Sequence, residues 1–101
     1  MSLSGSQFAN ERPGVFSVYS KSEVAKGWNL QADLPYMVRY QKTDRGNIGF
    51  HEIPIHVADG TTYQTHDQLG ERLSGGCQRQ HPLDALFMWN FSEVGTTVIV
   101  I

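Results

Sequence analysis

The chain has 101 residues, of which 40% are hydrophobic and 18% are charged. This length and composition predict one folded domain and exclude both a disordered chain and two independent cores. The net charge is -2 and the basic residues are scattered, which argues against nucleic acid as a partner. No apolar run approaches the roughly 20 residues that cross a bilayer, and no signal-peptide pattern is found.

The first third of the chain is predicted to hold a loop and one strand. Residues 1–14 are polar, rich in Ser and Gly, and end in a Pro-Gly pair that is typical of a turn. Alternating β-branched and aromatic residues predict a strand over 15–19. The polar stretch 20–33 is expected to hold a frayed helical turn around 22–26.

Two hairpins are predicted for the middle of the chain. Strand patterns over 34–40 and 48–51 flank a turn signal, so we expect these strands to pair. Asp59-Gly60 is typical of a tight turn and predicts a second, shorter hairpin around it.

A helix and a closing strand are predicted at the end of the chain. Pro82 near the first helical position, Asp84 in the first turn and apolar residues at helical spacing predict a helix over about 81–92. The continuous apolar run over 97–101 predicts a strand covered on both faces. The predicted fold is therefore mainly β with one short helix.

Cys77 is the only cysteine, so the chain cannot form an intramolecular disulfide or a multi-thiolate metal site. A free cysteine is commonly a small buried hydrophobe. Cys77, however, follows two glycines, which permit a tight bend that would expose the thiol and direct backbone N–H groups into a cleft. Nearby Arg79 would favour the thiolate. Two alternatives stay open, a catalytic nucleophile and a buried cysteine in a structural turn.

A cysteine nucleophile needs a base within hydrogen-bond reach, and the chain has four histidines. His51 is the preferred candidate because it ends an apolar strand, which would fix its ring at the edge of a cleft. The others are expected in a hairpin arm, a polar loop and a helix start: His56, His66 and His81. His51 and His56 lack the spacing of metal ligands on one face of a helix or strand, so no metal site is predicted.

Three motifs stand out: IGFHEIP at 48–54, LSGGCQRQ at 73–80 and VGTTV at 94–98. With the stretches 13–22 and 34–39, they resemble the L,D-transpeptidase catalytic domain (YkuD family), particularly in its actinobacterial members. The resemblance runs from about residue 4 to the last residue. It implies a β-sandwich of mixed sheets with one short helix after the cysteine, and it implies no cofactor and no metal.

The resemblance also implies a role for each residue of the site. Cys77 would be the acyl-accepting nucleophile and His51 its base, oriented by the backbone carbonyl of Glu52. The amides of Gly76 and Cys77 would face the developing oxyanion. Residues expected to hold the substrate and its surroundings are Arg79, Ser74, Gly75 and Glu52. Gly75 stands where the family commonly has His or Lys.

The family reaction defines the expected substrate. A peptidoglycan tetrapeptide stem would acylate the cysteine and release D-alanine, and the acyl group would pass to a side-chain amine of another stem. The implied partners are stem peptides, with carbapenem β-lactams as their mimics, and the implied location is the cell wall, outside the cytoplasm. With water as the acceptor, the same site would be an L,D-carboxypeptidase.

Two departures from the family pattern bear on activity. The stretch between His51 and Cys77 is longer than usual, and we attribute this to an inserted hairpin around Asp59-Gly60 that could cover the cleft as a lid. The strands that normally precede the Pro-Gly turn are expected to be missing. The alternative is therefore a non-catalytic relative, a binding or interaction domain whose uncovered sheet edge pairs with another chain.

Overall fold

Eight strands and one α-helix are found in the computed structural model, which describes residues 3–5, 13–27, 30–43, 46–74 and 76–101. The strands are β1 Leu3–Ser4, β2 Gly14–Ser17, β3 Ser20–Gly27, β4 Ala32–Thr43, β5 Gly46–Glu52, β6 Ile55–His56, β7 Gln78–Gln80 and β8 Thr97–Val100. The helix, α1, is Pro82–Phe91, and a single 3-10 turn spans His66–Gln68. No helix in these ranges is long and apolar enough to cross a membrane.

The larger of two sheets joins strands from both halves of the chain. Its order is β1-β7-β5-β4-β3, with β6 beside the start of β4. β5 and β7 pair in parallel, whereas the other pairs are antiparallel. β2 and β8 form a separate antiparallel pair. The parallel pairing brings the cysteine motif beside the strand that carries His51.

Two predictions with a strong local signal are confirmed. The predicted hairpin is β4–β5, although the first residues of its turn lie outside the described ranges. The predicted helix is α1, which begins at Pro82. His81 caps it, because its Nδ1 accepts a hydrogen bond of 3.1 Å from the backbone N–H of Leu83. This contact satisfies one of the N–H groups that the first helical turn leaves unpaired.

Three predictions are wrong. Residues 22–26 lie in β3, an edge strand, where polar side chains are common. The N-terminal loop includes β1, which pairs with β7. β8 is not covered on both faces, since its residues alternate in burial and Ile99 is 68% exposed. Only one face of β8 therefore packs on the rest of the protein.

The expected lid is also not found. The turn at Asp59-Gly60 is present, with Gly60 at a left-handed φ of 75° and its N–H 2.8 Å from the carbonyl of His56. The hairpin is reduced to one bridge, between Ile55 and Thr62. Its first arm, β6, pairs with β4, and none of its residues lines the cleft described below.

The large sheet packs differently on its two faces. On one face, the buried cluster of Ala32, Leu34 and Met37 contacts Cys77. On the other, α1 packs against β4 and β5, with Trp89 against the ring of a β4 tyrosine. The cysteine therefore lies on the face that points away from α1.

Candidate active site

Strand pairing sets the predicted catalytic residues in neighbouring rows of the sheet. His51 on β5 pairs with Arg79 on β7, and the first pair of this register is Phe50 with Gln78. Continued by one residue before β7 begins, the same register sets Gly49 beside Cys77. Side chains two residues apart point to the same face of a sheet. His51, Cys77 and Arg79 therefore share one face, although a long stretch of sequence separates the first from the others.

An open cleft of about 350 Å³ lies on this face. Its far wall is formed by β3 and β4. The predicted site residues that line it are Cys77, His51, Gly76, Arg79 and Ser74. Of the other two, Gly75 lies outside the described residues, and the side chain of Glu52 does not line the cleft.

His51 is buried and holds one defined tautomer. Its Nδ1 lies 2.5 Å from the carbonyl oxygen of Glu52. A carbonyl only accepts hydrogen bonds, so Nδ1 carries the proton and Nε2 carries the lone pair. Burial lowers the pKa of His51 from 6.5 to about 4, with Arg79 adding to the shift and the Glu52 carbonyl opposing it. The imidazole is therefore neutral at pH 7 and able to accept a proton.

Cys77 is half-buried, and its thiol donates a hydrogen bond of 3.5 Å to the carbonyl of Asn47. Burial raises the pKa of the thiol, against the smaller opposing effects of the Gly49 backbone and of Arg39 and Arg79. The resting site therefore holds a neutral thiol and a neutral imidazole in one cleft. Attack by the sulfur requires a base that takes the proton.

Ser74 closes the turn that precedes the cysteine. Its Oγ donates to the carbonyl of Cys77 at 2.5 Å and accepts the N–H of Gly76 at 3.2 Å. Ser74 is buried, and both hydrogen bonds of its hydroxyl stabilise the turn. Its role toward the substrate stays a prediction. The prediction that the Gly76 amide faces an oxyanion is not met, because its N–H donates to Ser74 Oγ. The Cys77 amide remains the candidate donor to an oxyanion.

Arg79 is buried in a polar network that the sequence did not indicate. Its Nη1 donates to Gln64 Oε1 at 3.1 Å, and Gln64 Nε2 donates to Ser4 Oγ at 3.0 Å. Ser4 in turn donates to the carbonyl of Gln68 at 3.2 Å. The network joins β7 to β1 and to the 3-10 turn, so it fixes the strand that follows Cys77.

The remaining histidines lie away from the cleft. The rings of His66 and His81 are 4.4 Å apart. Burial raises the pKa of Glu52, and these two histidines oppose the shift by a smaller amount. His56 stacks on Tyr63 at 3.7 Å. Among the residues that the structure describes, no three His, Cys, Asp or Glu side chains are arranged to hold a metal.

Comparison with known proteins agrees with this architecture. The model of the L,D-transpeptidase catalytic domain (YkuD) matches residues 4–100, so the chain belongs to that family. No curated protein matches it significantly in sequence.

Several solved structures share the fold. An L,D-transpeptidase from Mycobacterium smegmatis has a TM-score of 0.73 and 20% identity over 100% of this chain and 48% of its own. One from Mycobacterium tuberculosis H37Rv has a TM-score of 0.70 and 25% identity over 100% and 42%. An LD transpeptidase in complex with imipenem has a TM-score of 0.74 and 19% identity over 100% and 48%. The chain thus spans less than half the length of these neighbours.

Proposed function

We propose that this domain is a cysteine acyltransferase that cross-links peptidoglycan, an L,D-transpeptidase with Cys77 as nucleophile and His51 as base. The observation that carries the proposal is that both residues line one cleft while the Glu52 carbonyl binds Nδ1 of His51. Because that bond leaves Nε2 with its lone pair, the imidazole can accept the thiol proton. Its substrates lie in the cell wall, which places its work outside the cytoplasm.

The first half-reaction forms a thioester. His51 Nε2 takes the proton of Cys77 while the sulfur attacks the carbonyl carbon at the L-centre of the diamino acid in a tetrapeptide stem. The Cys77 amide donates to the resulting oxyanion, and one such donor contributes about 3 kcal/mol in comparable acyl-transfer sites. The C–N bond then breaks, His51 returns the proton to the departing amine, and D-alanine leaves.

The second half-reaction transfers the acyl group. The side-chain amine of another stem attacks the thioester carbon and gives up a proton to His51. The C–S bond breaks, the new amide forms, and the sulfur recovers its proton from the imidazole. With water in place of the amine, the product is the free tripeptide acid, so the acceptor decides between transpeptidase and carboxypeptidase outcomes.

Imipenem tests the nucleophile, because a thiol that opens the β-lactam ring retains the whole molecule as a thioester. The intact mass of the wild-type chain should increase by one imipenem, and Cys77→Ala should show no increase. His66→Ala is the matched control and should react like wild type, since His66 does not line the cleft. A folded wild-type chain that forms no adduct would contradict the proposed acyltransferase activity and favour a non-catalytic interaction domain.

Stem peptides test the acceptor. A tetrapeptide stem whose own side-chain amine is acetylated, incubated alone and then with an unblocked second stem, should yield a cross-linked dimer in the second case, detected by mass spectrometry. Tripeptide acid as the sole product in both cases would assign the carboxypeptidase reaction instead.

A further inference from the structure

Among the described residues, the charged side chains that line the cleft are all cationic. They are Lys26, Arg39 and Arg79, with no Asp or Glu from those residues beside them, although the whole chain carries a net charge of -2. Lys26 forms an ion pair with Asp33, and Arg79 is buried against Gln64. Within the described part of the chain, Arg39 pairs with no carboxylate. Its charge is therefore the one that an anionic ligand in the cleft can use.

Arg39 and the nucleophile lie in the same row of the sheet, meaning the line of neighbouring residues that runs across the strands. Arg39 pairs with Gly49 on β5. The β5–β7 register, continued by one residue from Phe50–Gln78, sets Gly49 beside Cys77, and the Gly49 backbone interacts with the thiol. Neighbouring strands are about 4.8 Å apart, so two steps place the backbones of Arg39 and Cys77 about 10 Å apart. An added Cβ at Gly49 would come within 2.3 Å of the Val38 carbonyl oxygen. The position between Arg39 and Cys77 is therefore one where only glycine fits, and β5 places no side chain there.

Two hydroxyl groups of β3 hold the guanidinium. Nη1 of Arg39 donates to Ser22 Oγ at 2.9 Å and to Ser20 Oγ at 3.3 Å. Both partners are neutral, and a guanidinium has five N–H donors in a planar fork. The register of β4 and β5 shifts directly after Arg39, an irregularity of the kind that redirects side chains beside functional sites. The remaining N–H groups of the Arg39 guanidinium suit a carboxylate, which an arginine can bind with two parallel hydrogen bonds.

We propose that Arg39 binds the C-terminal carboxylate of the D-alanine that leaves the donor stem. This inference rests on the proposed transpeptidase function. In the donor, only an amide nitrogen and one α-carbon separate that carboxylate from the carbonyl that Cys77 attacks. It is the nearest negative group to the reacting carbon, and Arg39 lies on β4, on the other side of Gly49 from Cys77. Arg39 thereby makes the domain selective for stems with a free D-alanine end.

Two donor peptides test the assignment, a tetrapeptide stem that ends in D-alanine and the same peptide ending in D-alaninamide. The release of D-alanine or its amide gives kcat/KM for each. Wild type should prefer the acid by about 10- to 100-fold, the range for a hydrogen-bonded charge pair. Arg39→Gln should lose this preference because kcat/KM falls only for the donor that ends in the acid. Arg39→Lys should retain part of the preference. Arg72→Gln, the same change at an exposed arginine outside the cleft, should keep the full preference.

The other outcomes overturn the assignment. An equal loss on both donors would mean that Arg39 acts on the thiol, and slower alkylation of Cys77 by iodoacetamide would accompany it. An unchanged preference in Arg39→Gln would place the carboxylate elsewhere. If Arg39→Gln does not fold, as judged by circular dichroism, Arg39→Lys decides by its ratio between acid and amide. If wild type turns over neither donor and forms no imipenem adduct, the proposed function itself fails.

Discussion

The surroundings of the cleft and the outer face of α1 differ in the side chains that they bury. Around the cleft, polar groups such as His51, Gln64 and Arg79 are buried. On α1, by contrast, large apolar side chains are in solvent, with Leu83 71% and Phe87 59% exposed. Buried polar groups are costly unless they are hydrogen-bonded. The fold is therefore most constrained where the proposed chemistry takes place.

This difference implies a gradient of mutational effects across the molecule. Removing one member of a buried polar arrangement leaves its partner unsatisfied, whereas an exposed apolar side chain can be replaced with little loss. We expect the largest effects at the cleft and the smallest on the outer face of α1.

His51→Ala should have the largest effect. The rate of acylation by imipenem at pH 7 should fall by a factor of about 100 to 10,000, the usual contribution of a general base, because the raised pKa of Cys77 keeps the thiol protonated. A time course of intact mass gives the rate. His66→Ala should retain most of the wild-type rate. A greater loss in His66→Ala than in His51→Ala would show that His51 is not the base.

Gly49→Ala should lower the free energy of unfolding by about 3 kcal/mol, near the upper end of the cost of overpacking. The new Cβ would lie 2.3 Å from the Val38 carbonyl oxygen and 2.9 Å from Arg39 Cα, and these backbone atoms cannot move without disturbing β4. Urea unfolding measures the loss. Gly60→Ala is the control, because nothing lies within 4 Å of its added Cβ and its left-handed φ of 75° costs only about 1–2 kcal/mol. Equal losses of unfolding free energy in the two variants would show that β4 can shift to accommodate the new Cβ.

Acid should destabilise the fold through His51. Its pKa is about 4 in the folded protein against an ordinary 6.5, so the unfolded chain binds a proton in a range where the folded chain does not. The stabilising contribution is complete above pH 6.5 and is lost as the pH falls to about 4, which amounts to about 3 kcal/mol. Urea unfolding at several pH values measures it. His51→Gln should remove this pH dependence and His66→Gln should keep it. Parallel curves for wild type and His51→Gln would contradict the burial of a neutral imidazole.

Sequence patterns predicted the elements whose signals are local. The β4–β5 hairpin follows from alternating residues around a turn, and the start of α1 follows from Pro82. Cys77 and His51 could be predicted as nucleophile and base because contiguous motifs carry them. β3 was missed because its polar residues have no strand pattern, and its pairing with β4 supplies what the local sequence does not.

Contacts across the fold could not be predicted in the same way. Gln64 and Ser4 hold Arg79 through hydrogen bonds between segments that are distant in the chain. Arg39 is one of several basic residues in the sequence, and only the register of β4 on β5 brings it into the row of Cys77. The orientation of the Gly76 amide depends likewise on the Ser74 hydroxyl. Such details require strand register, which a single sequence does not specify.

The smallest effect is expected for Leu83→Gln on α1. Because Leu83 is 71% exposed, its replacement removes little buried area, and the free energy of unfolding in urea should change by no more than about 0.5 kcal/mol. Ala85→Leu on the same helix is the contrast, since Ala85 is fully buried and overpacking there costs about 1–3 kcal/mol. If Leu83→Gln destabilises the protein as much as Ala85→Leu, the outer face of α1 is covered in solution, and the contrast between the two regions would no longer hold.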